Sequence, residues 1–495
     1  MDGQEEYSSK KHTVIISDLH LCEAEPVHPK YPLWKKYKTR EFFFDDDYVD
    51  FLKHIKSVSD GPMELVLNGD IFDFDSVSTF PQSPPYRIST LERLTGLHPQ
   101  EEKSLYKIRR ILRDHTTWVQ ATRDFVLEGH SLVFIVGNHD LELHWPAVQQ
   151  AILTALDLPD VFKSSVRFCE WFYISEKDTY IEHGNQQDPY CLCQDPIHPF
   201  IQRFNKLEVR VPFGNLATRY LVNGMGFFNP HLAANYIMSA FEYVRFFIKY
   251  MLRAQPQLMI TWLWRSTAVL FQTAADRLRP AIKEPLTIED RIEAVARKSN
   301  ATPRMVRELK ELFALPASSQ PWIIAKELWL DRALIMALAF FILIQLWLVL
   351  DQVFDFSIGW LLIPFFLFLP FFVFYSRSVF PQADEFKEPR ETIMRAVSMI
   401  TKTNRIIYGH THIVRHEMIG PVEHLNSGTW SPAFEDVECT RPVGQKTFIW
   451  IAPRANRPGR KARVYQFKDG QGLPVFNYGG EKIRTPKKAQ PLEVE

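Results

Sequence analysis

Short apolar runs alternate with longer mixed stretches over residues 13–190. The runs are TVIIS (13–17), ELVLN (64–68), SLVFIVG (131–137) and TYIEHG (179–184). Each is rich in Val, Ile, Leu or Phe and short, as a buried strand should be. Between them, Asp46–Val58 and Glu101–Glu128 carry helix-compatible patterns. This strand–loop–helix rhythm predicts an α/β layered domain. It resumes near Arg405 with RIIYGHT, HLNSGTW, KTFIWIAP and ARVYQF. The two parts therefore close one domain, predicted over 12–195 and 390–475, with other material inserted between them and a tail over 476–495.

The insert, 196–330, is mostly helical by pattern. Asn235–Leu252 mixes Phe, Tyr and Met with Arg245 and Lys249. Leu258–Phe271 is too short to span a bilayer and carries Arg265, so it fits either a membrane-surface helix or a buried one. The stretch 287–312 predicts two amphipathic helices parted around Asn300–Pro303. Their outline suits a helix-turn-helix, but helical hairpins are common and most touch no DNA. Ala333–Leu350 and Ile358–Tyr375 are each about 18 residues without a charge, near the lower edge of what spans a hydrocarbon core. With the tight link DQVFDFS they predict a transmembrane hairpin over 331–377. Lys326, Arg332, Arg377, Lys387 and Arg390 flank it, whereas the link holds Asp351 and Asp355 and no cation. The positive-inside rule then places both flanks and the catalytic domain in the cytoplasm. A buried apolar hairpin or a dimer interface is the other reading.

Composition changes this picture little. Of 495 residues, 46% are hydrophobic and 23% charged, which excludes a disordered chain. Lys+Arg and Asp+Glu both number 58, so no globally basic nucleic-acid binder is expected. The 5 Cys are scattered and suggest no disulfide framework. Cys191 and Cys193 have the wrong spacing for a zinc knuckle. The polar N-terminus predicts no secretory signal.

Five motifs follow apolar runs directly. Asp18 and His20, two apart at a strand end, can both turn toward one ion. In Gly69-Asp70-Ile71-Phe72-Asp73, the two carboxylate oxygens of Asp70 can bridge two ions. In Gly137-Asn138-His139-Asp140, Asn138 offers a neutral oxygen ligand and His139 a proton donor. His183-Gly184, with Asp188 beyond it, and Gly409-His410-Thr411-His412 complete the set. Catalytic groups of α/β sheets gather at the carboxyl ends of strands, and glycines permit tight turns there. Each motif alone is weak; five in order are specific.

This order resembles the calcineurin-like metallophosphoesterase superfamily, whose pattern runs D-x-H, G-D, G-N-H-D/E, H and G-H-x-H. The resemblance covers about 13–190 and 400–470. It implies a four-layer α/β/β/α sandwich. It implies that Asp18, His20, Asp70 and His412 hold one divalent ion and that Asp70, Asn138, His183 and His410 hold a second. It also implies that His139, hydrogen-bonded to Asp140, stabilises the transition state or protonates the leaving oxygen. Ligands of oxygen and imidazole suit Mn, with Fe or Zn as alternatives. Asp73-Phe74-Asp75 and His139-Asp140 depart from the protein-phosphatase branch, and Cys22 departs from the D-x-H-x-G of repair nucleases. Ser17–Leu21, Gly69–Asp73, His183 with Asp188, and Asn426–Trp430 look like a bacterial branch containing the UDP-2,3-diacylglucosamine pyrophosphohydrolases. That branch carries Arg at the position of His139 and lacks the hairpin. Asp73, Asp188, Asn426 and Trp430 are expected behind the ligands or against substrate. The expected activity is that of a membrane-anchored phosphohydrolase on a lipid-linked or amphiphilic phosphoester or pyrophosphate, with membrane lipids as partners and no nucleic acid. A tethered phosphodiesterase on soluble nucleotides or nucleotide sugars is the alternative. A non-catalytic scaffold is disfavoured, because no ligand of the pattern is missing.

Overall fold

Two β-sheets share their strands between the two ends of the chain. The computed structural model describes residues 11–203, 205–226, 249, 258–279, 287–354, 356–378, 388–434, 436–442, 445–454 and 458–475. Most of the predicted Asn235–Leu252 helix, Asp355, Lys387 and the tail lie outside these residues. The first sheet contains β1 (His12–Ile16), β2 (Met63–Asn68), β3 (Ser131–Ile135) and β4 (Val166–Cys169), all parallel. The second contains β5 (Phe172–Ser175) and β6 (Thr179–Glu182), which form a hairpin. A small hairpin, β7 (Phe200–Arg203) and β8 (Lys206–Val209), stands apart. The C-terminal part returns to both sheets. Its β9 (Arg405–Tyr408), β10 (Arg415–Ile419) and β11 (Val422–Asn426) give the second sheet the order β10-β11-β9-β6-β5. Its β12 (Thr447–Pro453), β13 (Arg460–Lys468) and β14 (Gln471–Pro474) give the first the order β14-β13-β12-β1-β2-β3-β4. β12 runs antiparallel to β1, and β9 runs parallel to β6.

Alternation along the strands divides the core. Val14, Ile16, Leu65, Leu67, Leu132 and Phe134 pack with Tyr48, Phe51, Ile108, Phe125 and Ile152 of the helices Asp45–Val58, Glu101–Asp114, Thr116–Leu127 and Pro146–Leu156. Their neighbours Ile15, Val66 and Val133 pack instead with Tyr173, Ile181, Ile407 and Leu425 of the second sheet. On that sheet Phe172, Ile174, Ile406 and Tyr408 meet Ile292, Val295, Val306, Leu309 and Val397. Each such side chain contributes about 1.5–3 kcal/mol when fully buried. The helices Ile288–Lys298 and Pro303–Lys310 thus spend their apolar faces on the second sheet, which answers the helix-turn-helix outline.

The rest of the insert builds a cap. Phe213–Ala217 continues through Thr218–Val222, wound as a π-helix, to Asn223–Met225. Phe213, Leu216 and Tyr220 pack with Val269 of the helix Leu258–Leu278 and with Ile324 of Pro321–Glu327. Two apolar helices follow, Leu330–Phe354 and Leu362–Ser378. Leu330–Phe354, and Ile358–Ser376 when the 3-10 turn Ile358–Leu361 is counted with the second helix, are long and apolar enough to cross a membrane, and neither apolar stretch is buried within the chain. Trp347 Nε1 donates to Phe356 O at 2.8 Å across their link. Tyr375 Oη donates to Asp331 at 2.8 Å where their outer ends meet.

Candidate metal centre

The parallel pairing continues beyond the strands. Asp18 N donates to Gly69 O at 3.1 Å, His20 N to Asp70 O at 2.9 Å, and Gly409 N to His183 O at 2.8 Å. These bonds hold the first two motif turns side by side, and the last two likewise. Asp18, His20, Asp70, His410 and His412 all have left-handed backbones, with φ of 54, 50, 52, 66 and 58°. Asp and His tolerate this region better than most residues, yet each such position costs on the order of 1–3 kcal/mol. In Asp18-Leu19-His20 and in His410-Thr411-His412 the outer residues share this twist. Gly69 has a φ of +76°, and a Cβ there would overlap the His183 ring.

The turns bring the ligand types into groups. Asp18, His20 and His412 form one, and Asp70, His183 and His410 another, with candidate ligand atoms within 4.8 Å of one another in each. Asp70 also groups with His20 and His139. Asp18 Oδ1 lies 3.1 Å from His412 Nε2, and Asp70 Oδ2 lies 3.1 Å from His183 Nε2. Adjacent ligands bonded to one ion at about 2.1 Å sit about 3 Å apart. Asp18 Oδ1, Asn138 Oδ1 and His183 Nε2 are buried and make no hydrogen bond. Buried polar atoms are normally satisfied, so these three fit divalent ions. Burial opposes the ionised form of Asp70, but His183 and His139 pull its pKa well below the usual range. Burial would lower His183, but Asp70 and Asp18 raise it to about 9, so cation binding there must displace a proton.

His139 stands beside the groups, its ring 4.9 Å from that of His20. Its N–H donates to Asp70 Oδ1 at 2.7 Å. Its Nδ1 lies 3.4 Å from Asp73 Oδ1 and 3.4 Å from Asp75 Oδ2. Burial would lower its pKa, but Asp70, Asp73 and Asp75 raise it to about 10. The expected pairing with Asp140 is corrected here. Asp140 accepts from Gly137 N at 2.6 Å and from Ile71 N at 2.8 Å, which fastens two motif turns together. The geometry of its turn points the carboxylate back into the loop. Burial, then the charge of Asp70, raises its pKa to about 7.

The supporting residues divide. Asp188 Oδ2 lies 2.9 Å from His410 Nε2, an arrangement that fixes the ring of a metal-binding histidine. Asn426 donates to Gly409 O at 2.8 Å and to Thr411 Oγ1 at 3.1 Å, and so shapes the last motif. Trp430 stands behind a candidate ligand through its backbone, whose N–H donates to Asp18 O at 3.2 Å. Its indole is buried against Phe51 and donates to Thr447 O at 2.7 Å.

Several residues here carry no sequence signal of their own. Asn215, from the cap, donates to Asn138 O at 2.9 Å and to Asp75 Oδ2 at 2.5 Å. It accepts from Asn138 Nδ2 at 3.4 Å. Held this way, Asn138 turns its other amide atom, Oδ1, elsewhere. Arg219 Nε lies 3.6 Å from Asp75, and Asn223 donates to Asp75 O at 2.7 Å. Burial raises Asp75 to about 6 against the pull of His139 and Arg219. Glu388 accepts from Asn426 at 2.8 Å and from Thr411 at 3.3 Å. Cys191 groups with Asp188 and His410, while Cys193 lies in the core; all five Cys are free.

Residues 11–209 match the family model described as calcineurin-like phosphoesterase. The match supports the metallophosphoesterase superfamily and indicates a metal-dependent phosphoester hydrolase. No curated protein and no solved structure matches the chain.

Proposed function

We propose that the protein is a membrane-anchored, two-metal phosphohydrolase acting on a lipid-linked or amphiphilic phosphoester or pyrophosphate. The observation that carries the reading is the grouping of Asp18, His20, Asp70, His183, His410 and His412 at the strand ends, with Asp18 Oδ1, Asn138 Oδ1 and His183 Nε2 buried and without a hydrogen bond. Asp18, His20, Asp70 and His412 would hold one ion; Asp70, Asn138, His183 and His410 would hold the other. Mn is the ion we propose, from the mixed oxygen and imidazole ligands. When bound, such a pair clamps phosphate oxygens and lowers the pKa of water. Asp73 and Asp75 lie beside His139 Nδ1, and His139 would give a proton to the leaving oxygen. Asp140 positions the turns, and Asp188 orients His410. Helices outside and sheets inside support an α/β/β/α order for this domain.

The exposed apolar hairpin supports the membrane half of the proposal and the choice of an amphiphilic substrate. The test is a substrate panel on purified full-length protein with Mn²⁺. Turnover of an aryl phosphoester, abolished by chelator, and a preference for lipid phosphoesters over soluble nucleotides are expected. Faster turnover of water-soluble nucleotides would overturn the substrate class. No turnover with metal bound would overturn the activity.

A further inference from the structure

The helix Leu258–Leu278 has two unlike sides. Ser266, Val269, Gln272 and Thr273 are buried against the cap. Gln272 accepts from Arg203 at 2.8 Å, and Arg265 donates to Tyr220 O at 2.7 Å. The opposite side presents Leu263, Trp264, Phe271 and Leu278, exposed by 46, 62, 70 and 84%. At 3.6 residues per turn these four fall within an arc of about 100°. Thr267 and Ala274 complete that arc, and no charge lies in it. A solvent-facing helix surface normally carries charged and polar side chains, so this one calls for a partner.

Its surroundings indicate which. The helix packs against Pro321–Glu327 and reaches Leu330–Phe354, the first arm of the hairpin. Trp322, at the base of the hairpin, is 58% exposed. The helix that bears the apolar arc thus lies beside the base of the hairpin. Indole and phenyl side chains on one face of a helix suit the boundary between headgroups and acyl chains. We propose that Leu258–Leu278 lies along the bilayer surface, with Leu263, Trp264, Phe271 and Leu278 seated in that boundary. The inference rests on reading the hairpin as membrane-spanning. Through Arg265 and Tyr220 the same helix leans on the cap segment that holds Asn215 and Arg219 beside Asp75. Seating it on the bilayer would fix the height and tilt of the metal centre above the lipid.

Photo-cross-linking tests this. A benzophenone amino acid is placed singly at Phe271, at Phe366 in the hairpin and at the buried Val269, in full-length protein in phosphatidylcholine–phosphatidylglycerol nanodiscs. Lipid adducts, read by mass spectrometry, are expected at 271 and 366 and not at 269. Adducts at 366 with none at 271 would overturn the surface helix and leave the hairpin standing. Adducts from 271 to this chain or to a second copy would do the same, by showing a protein partner. Absence of lipid adducts at both 271 and 366 would overturn the hairpin reading and this inference with it.

Discussion

Asp70 belongs to the groups on both sides of the centre, and one of its oxygens also accepts the N–H of His139. Asp70→Asn keeps the shape and removes the charge that draws both sites together. Its expected result is a metal content well below two equivalents per chain with turnover lost; two full equivalents on the purified variant would contradict the bridging role. His139 differs, because the carboxylates beside its Nδ1, Asp73 and Asp75, hold no ligand position in the proposal and it is itself given none. His139→Ala is expected to keep its metal while turnover falls roughly 10²–10⁴-fold, the range for a general acid. Loss of metal in proportion to activity would make it a structural residue instead. The residues that the turns bring together were legible because each sits in a short string after an apolar run. The partners of the Asp140 carboxylate and of the Trp430 indole were not. Side-chain direction at those positions depends on the turn and on core packing, and the string carries neither. Asp140 is drawn into its own loop by two N–H groups, and Trp430 fills space beside Phe51.

At the scale of elements, the strands and their order of motifs were readable from period and length, but the cap was not. Nothing in PFGNLATRYLVNG marks Asn215 as a partner of Asn138, because that contact joins residues 77 apart in sequence. Asn215→Leu keeps the number of side-chain heavy atoms and removes the donor to Asn138 O and Asp75 Oδ2. Turnover should fall about 10–100-fold, the usual cost of removing a group that orients a metal ligand, with KM little changed. An Asn215→Leu enzyme with wild-type turnover would detach the cap from the centre. The cap is tied to the catalytic domain through His98, whose Nδ1 accepts from Arg203 at 3.0 Å. Burial, then Arg203 and Arg219, push the His98 pKa down to about 2. The unfolded chain has a His pKa of about 6.5, so below that pH it binds a proton that the folded site rejects. This contribution is fully present above about pH 6.5 and is lost as the pH falls. Melting curves should show a steeper loss of stability between pH 7 and 5 in the wild type than in His98→Gln. Parallel curves would show that His98 takes up its proton without unfolding.

For the whole molecule, topology and membrane constrain each other. His183 precedes the hairpin in sequence, and His410 and His412 follow it. β6 and β9, which these residues directly follow, pair in register, with Tyr180 opposite Ile406. A single crossing would place the two strands on opposite sides of a bilayer and abolish both the sheet and the centre. Only an even number of crossings, or none, is compatible with this fold. Two helices joined by the link at 355–357 and tied at their far ends by Tyr375 and Asp331 meet that condition. Leu, Ile and Phe each favour insertion by about 0.3–0.6 kcal/mol, so Gln345 is outweighed. The hairpin was legible because length and absence of charge suffice to mark it. The substrate was not, because the contacts around the centre, such as Asn215 to Asn138, join residues far apart in the sequence. The protein is expected to pellet with membranes and resist alkaline carbonate. Lys326, Arg332, Arg377 and Arg390 lie outside the two apolar runs, and Asp351 lies at the link, so the link should face away from the cytoplasm. Relative to wild type, Gln352→Cys should gain labelling by an impermeant maleimide added to intact spheroplasts. Arg390→Cys should gain it only after permeabilisation. The reverse pattern would invert the orientation, and release of the protein by carbonate would reduce the hairpin to a surface anchor and remove the case for a lipid-linked substrate.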